Sequence, residues 1–294
     1  MKKTFLLFFY SCLATALYGQ NIPNTLLWKV TKSGSVNESF LFGTFHEVNP
    51  LFFDSLTNVL VKLRQSDLLF VEQRSSPPIN AGSIKQLPWS SKKWDMILTN
   101  EQKQTFTAFV KKAEDSSYYN LNPLTLTLAA SRLYLTYFCQ GPSTLDQLMD
   151  SHIENIALNI GKQVFELDSN QQIMLRDAAQ TFSLKKDSLY ASIAIHSMKL
   201  MLDNDDSECQ LVNDYRNFRL DYQLEISRNS DDAWLLEDRN TKWIAKLNDV
   251  FPKQNCFVAI GFRHLFYKQG LIQKLRTLGY VVTPVPMERL NVKP

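Results

Sequence analysis

Alternating and uninterrupted apolar runs predict strands near both ends of the chain, and apolar positions at helical spacing predict helices between them. Leu26–Thr31 alternates as a half-buried strand does. Lys32-Ser33-Gly34-Ser35 has turn composition and Ser39–Gly43 returns, so the segment reads as a β-hairpin. Within Phe52–Gln65, Leu56, Val59, Leu60 and Leu63 recur at helical spacing. Leu68-Leu69-Phe70-Val71 is an unbroken apolar run, as expected of a strand covered on both faces. From Lys92 to about Gly161 the pattern is mostly helical, with breaks at Asn122-Pro123 and Gly141-Pro142-Ser143. Its last helix, Leu145–Ile160, stops at Gly161. Gln163–Leu167 reads as a short strand. Helices are expected from about Asn170 to Asp203 and from Glu208 to Arg228, followed by a polar break at Asn229–Asp232 and a helix over Trp234–Val250. Phe257–Ile260 reads as a buried strand, Gln269–Leu278 as a helix closed by Gly279, and Tyr280–Val285 as the last strand. The predicted class is α/β: a mixed, largely parallel sheet formed by the two ends of the chain, with a large helical insertion at about 92–228.

The first residues change the picture of where the protein works. Lys2 and Lys3 precede an uncharged, mostly apolar stretch from Thr4 to Leu17, and small Gly19 follows. These are the three parts of a signal peptide. Residues 1–19 are expected to be removed, leaving a single domain of residues 20–294. The apolar run is shorter than the ~20 residues of a membrane helix, and no later stretch approaches one. The expected location is therefore the periplasm or the exterior. Removing Lys2 and Lys3 brings the 32 basic side chains close to parity with the 29 acidic ones, so charge gives no case for nucleic acid. Export also permits a disulfide. Of Cys139, Cys209 and Cys256, the first two sit near helical segments and are the favoured pair.

Candidate chemistry gathers where strands end. Ligands of such sheets collect beyond the carboxyl ends of the strands. One strand runs into Gly43-Thr44-Phe45-His46, another into Glu72, and a third into Gly261-Phe262-Arg263-His264. Two of only four histidines thus follow a glycine by three residues at a strand exit. A glycine there lets the chain turn sharply, so that the later residue points back over the sheet. Two imidazoles and a carboxylate suit a divalent ion with open coordination positions, or a general-base pair that activates water. His152 and His196, in helical stretches, read as ordinary side chains.

The same residues carry a family resemblance. Leu27-Trp28-Lys29-Val30, Leu41-Phe42-Gly43-Thr44-Phe45-His46, Val71-Glu72, Gly161-Lys162-Gln163-Val164, Arg239-Asn240 with Trp243, Val258 to His264, and Gly279 to Val285 together resemble the TraB/GumN (Tiki-like) family. The resemblance implies a metal-dependent hydrolase, with a Tiki branch of metallopeptidases using Mn²⁺ or Co²⁺; Zn²⁺ also suits the donor set. It implies that His46, Glu72 and His264 are the metal ligands and catalytic groups, acting on a peptide or small-molecule substrate. Glu47 reads either as a fourth ligand or as a solvated neighbour. Arg239 is expected to form an ion pair near the site. The family's Leu-Glu-Thr is Leu167-Asp168-Ser169 here, which shortens the reach of Asp168. Arg263 stands where many members have a small residue and either binds a substrate carboxylate or narrows the site. Two other readings remain open: a metal-free, esterase-like hydrolase with His46 as base oriented by Glu72, and a non-enzymatic protein that binds a peptide or another ligand.

Overall fold

A computed structural model describes residues 23–74, 89–141, 147–168, 182–228 and 233–290. The signal segment, the start of the helix expected from Asn170 and the break at Asn229–Asp232 lie outside these residues. Among the described residues six strands form one sheet: β1 (Leu27–Lys32), β2 (Ser39–Thr44), β3 (Leu68–Val71), β4 (Gln163–Glu166), β5 (Cys256–Gly261) and β6 (Tyr280–Val285), in the order β4-β3-β5-β2-β1-β6. The hairpin partner β1 is antiparallel to β2 and to β6, whereas β4, β3, β5 and β2 are mutually parallel. The sheet is thus mixed and largely parallel, as the pattern predicts. Central β5 is buried at every position, which explains its lack of alternation.

The register fixes the working end of the sheet. Thr44 on β2 lies opposite Gly261 on β5, and Val71 on β3 lies opposite Ala259. The three chain exits that carry His46, Glu72 and His264 are therefore neighbours on one edge.

Two apolar cores support this edge. The main one packs α1 (Leu51–Asp54), α2 (Thr57–Gln65), α6 (Met149–Asn159), α9 (Ala233–Val250) and α10 (Leu271–Thr277) with the strands, through Phe42, Phe53, Leu63, Ile153, Trp243 and Leu275. A second joins α3 (Ser91–Ile97), α4 (Asn100–Ala113), α5 (Pro123–Leu133) and α7 (Leu184–Asp203). There Ala130, Ala191 and Ala194 are fully buried, so α5 and α7 approach closely. The ends of these helices are written in sequence. Thr99 and Gln102 form a capping box on α4, and Asn122 caps α5 ahead of Pro123 at its first position. Cys139 and Cys209 form a disulfide, and Cys256 is free and buried. No helix among the described residues is long and apolar enough to cross a membrane.

Two expected helices differ. Phe52–Gln65 divides into α1 and α2 at Leu56, which is fully buried and bridges to Arg289. The helix expected over Glu208–Arg228 is confined to α8 (Gln210–Arg216) after a short 3-10 turn. Beyond it Phe218 and Gln223 have positive φ, and the Tyr222 hydroxyl donates to the Thr25 carbonyl at 2.8 Å. Tyr222 and Leu220 are buried against the main core, so tertiary anchoring overrides helical periodicity.

Candidate active site

The two strand-exit glycines are required by space rather than by backbone conformation, since neither has a positive φ. A Cβ at Gly43 would stand 3.0 Å from Cβ of Phe262, so Gly43 lets the 3-10 turn Phe262–Leu265 press against β2. A Cβ at Gly261 would stand 2.9 Å from Glu72 Oε1, 3.4 Å from His46 Nε2 and 3.8 Å from His264 Cδ2. Atoms of His46, Glu72 and His264 therefore all lie within 4 Å of one point. The sharp-turn explanation for these glycines is replaced by close approach.

One half of the site is a buried polar lattice. The Gly261 N–H donates to Glu72 Oε1 at 2.6 Å. From α9, Arg239 Nη2 donates to Glu72 Oε2 at 2.5 Å and Arg239 Nε to Asp168 Oδ2 at 2.5 Å. Trp243, one turn later on α9, donates from Nε1 to Asp168 Oδ1 at 3.0 Å and packs on the His264 ring with centroids 4.3 Å apart. The Asn240 side-chain oxygen Oδ1 meets His264 Nδ1 at 2.7 Å. Because that oxygen can only accept, Nδ1 carries the proton, and Nε2 faces Arg239 Nη1 at 3.2 Å as an acceptor.

The other half is open. The His46 side chain is 39% exposed. Its Nδ1 contacts Asp150 Oδ2 in a short ion pair, and Thr44 Oγ1 donates to the other Asp150 oxygen at 2.7 Å. Asp150 lies in the first turn of α6, where the helix N-terminus favours a carboxylate. His46 thus presents Nε2 to a cavity of about 500 Å³ with apolar walls that include Phe45, Leu135, Ile193, Leu211, Leu236 and Phe262.

Titration separates the two imidazoles. Burial opposes charging His46, but the adjacent Asp150 carboxylate outweighs it, with help from Glu72 and Glu47, and raises the pKa to about 10. Burial holds His264 down at about 4, against the pull of Glu72 and with Arg239 repelling added charge. Burial would raise Glu72, yet His264, His46, Arg239 and the Gly261 N–H together lower it to about 2.

Of the residues expected at the site, His46, Glu72 and His264 converge. Arg239 forms the expected ion pair, now seen to be double. Asp168 reaches Arg239 and Trp243 rather than the shared point. Glu47 and Arg263 line the cavity. His196 pairs with Glu208 at 2.6 Å and His152 with Asp54 at 2.8 Å. Asp150 was not anticipated, because no motif or spacing marks it, and the predicted orienter of His46, Glu72, is engaged elsewhere. Asn240 and Trp243 were quoted only as matching residues, and their contacts give them roles.

A divalent ion on His46, Glu72 and His264 does not fit this arrangement. Both Glu72 oxygens accept protein hydrogen bonds, and the His264 Nε2 lone pair faces a guanidinium. No cluster of three suitable donors occurs among the described residues.

No curated protein and no solved structure significantly matches the chain. One family model does, that of the TraB/PrgY/gumN family, over residues 26–284. The match takes in β1, both glycine–histidine strand exits, the α9 residues that hold His264, and nearly all of β6, and the chain belongs to the TraB/PrgY/gumN family.

Proposed function

We propose that this protein is an exported hydrolase that cleaves an amide or ester bond with a water activated by His46. The observation that carries this reading is the posture of His46: Nδ1 is held by Asp150 while Nε2 faces an apolar-walled cavity beside Glu72 and Arg239. In its neutral form His46 takes a proton from water at Nε2, and the imidazolium is stabilised by Asp150. The hydroxide attacks the carbonyl carbon, and the buried positive charge of Arg239 offsets charge developing on the carbonyl oxygen. His46 then returns the proton to the leaving amine or alkoxide. Export is supported by the charged and apolar N-terminal pattern and by the Cys139–Cys209 disulfide.

The test is turnover of an amide and ester library by the wild type, His46→Ala and Asp150→Asn. Loss of about a hundredfold or more in kcat for both variants is expected; unchanged turnover in both would end this reading. A divalent metallopeptidase is the second reading. It is favoured by the Asp150–His46 contact, because a carboxylate commonly orients a metal-bound imidazole. It requires Arg239 to withdraw from Glu72 and His264. Metal content of the purified protein, with turnover in excess chelator, separates the two readings.

A further inference from the structure

The basic side chains around the cavity are not equivalent. Arg239 is engaged by Glu72 and Asp168, His46 by Asp150 and His196 by Glu208. Arg263 lines the same cavity and is exposed. Its guanidinium has no ion pair or hydrogen bond among the described residues, and lies 5.9 Å from the Phe262 ring. A positive charge is thus held at the mouth of an apolar-walled cavity without an internal counter-charge. Arginine matches a carboxylate with two parallel hydrogen bonds, so such a position selects that group.

We propose that Arg263 recognises a substrate carboxylate, and that the substrate is a short acyl or peptidyl chain ending in a free carboxyl beside an apolar side chain. This inference rests on the hydrolase reading and names its substrate class. Arg263 follows Gly261 by two residues, so their Cα atoms are at most about 7 Å apart, and His46 Nε2 approaches Gly261 closely. The Arg263 side chain adds its own reach to that separation, so a carboxylate bound there lies within a few residues of the reacting carbon, which fits a bond near a chain terminus rather than one deep in a folded protein. Phe262 and Leu236 supply the apolar wall for the side chain next to that carboxyl. Glu47, on the β2 side of the cavity, makes no ion pair among the described residues. It repels an anion there and so directs the acid end toward Arg263.

The experiment compares N-acetyl-leucyl-leucine with its C-terminal amide on the wild type, R263A and R263K. The wild type should prefer the acid at least about tenfold in kcat/KM, a typical worth of one charge-assisted contact. In R263A that ratio should fall to about one through a higher KM for the acid, with R263K in between. A wild type that treats acid and amide alike, or an R263A that keeps wild-type turnover of the amide and an unaltered ratio, overturns the proposal; if R263A misfolds and lowers both substrates together, the ratio in R263K decides instead. If the wild type hydrolyses neither, calorimetric binding of the same pair to wild type and R263A decides the carboxylate site, and the hydrolase reading itself fails only if the amide and ester library also shows no turnover. Acid-selective binding lost in R263A supports it, and equal or absent binding of the two overturns it.

Discussion

The two halves of the site are built from similar groups and behave differently. Around Arg239, side-chain exposure is below 10% for Glu72, Asp168 and His264, and each has several fixed partners. Around His46, one partner holds Nδ1 and the other nitrogen meets the cavity. The same imidazole is driven in opposite directions: burial keeps His264 neutral, whereas Asp150 makes His46 a strong base. A buried lattice of matched charges fixes a shape, and a half-open pair leaves one ring nitrogen free to exchange a proton.

The largest effect should come from breaking the closed half. Arg239→Ala leaves Glu72 and Asp168 as buried carboxylates without their shared cation, and should cost about 3–5 kcal/mol of stability by chemical denaturation. A cost under about 1 kcal/mol would mean that the lattice is wetter than its burial shows. In the open half, Asp150→Asn should lower turnover by ~10²–10⁴-fold while changing stability far less than Arg239→Ala. It should also move the rising limb of the rate profile to lower pH, because the carboxylate that raises the His46 pKa is gone. Equal stability losses at both positions would erase the distinction between the halves. Trp243→Phe keeps the ring on His264 but removes the donor to Asp168, and should destabilise by about 1–3 kcal/mol, with the His264 pKa, followed by NMR, as a sensitive readout.

The gentlest perturbation is pH. The folded pKa of His46 lies above its ordinary value, so the stability it contributes is complete below pH 6.5 and is lost as pH rises through about 10. Glu72 lies below its ordinary value, so its contribution is present above pH 4.5 and lost as pH falls through about 2. Turnover by neutral His46 should climb toward pH 10. A rate that instead falls on approach to pH 10 would make His46 a proton donor rather than the base.

The strand-exit motifs were legible because a parallel sheet leaves a strong mark: Leu68–Val71 and Phe257–Ile260 are buried on both faces and read as unbroken apolar runs. Asp150 was not legible, since its role depends on α6 crossing the exit of β2 more than a hundred residues away in sequence, and an acidic residue in a first helical turn is ordinary. The 208–228 segment failed for a related reason: Tyr222 is held by Thr25 near the other end of the chain, and local periodicity carries no trace of that bond.

By itself, the sequence determined the strands, most helices and their caps, and the three groups that meet above the sheet, because hydrophobic period and glycine placement are local properties. Tertiary structure decided which carboxylate serves which cation. Charge pairing depends on distances of a few ångströms and on burial, and only the folded packing of α6 and α9 against the strand ends sets these, placing Arg239 between Glu72 and Asp168 and Asp150 behind His46.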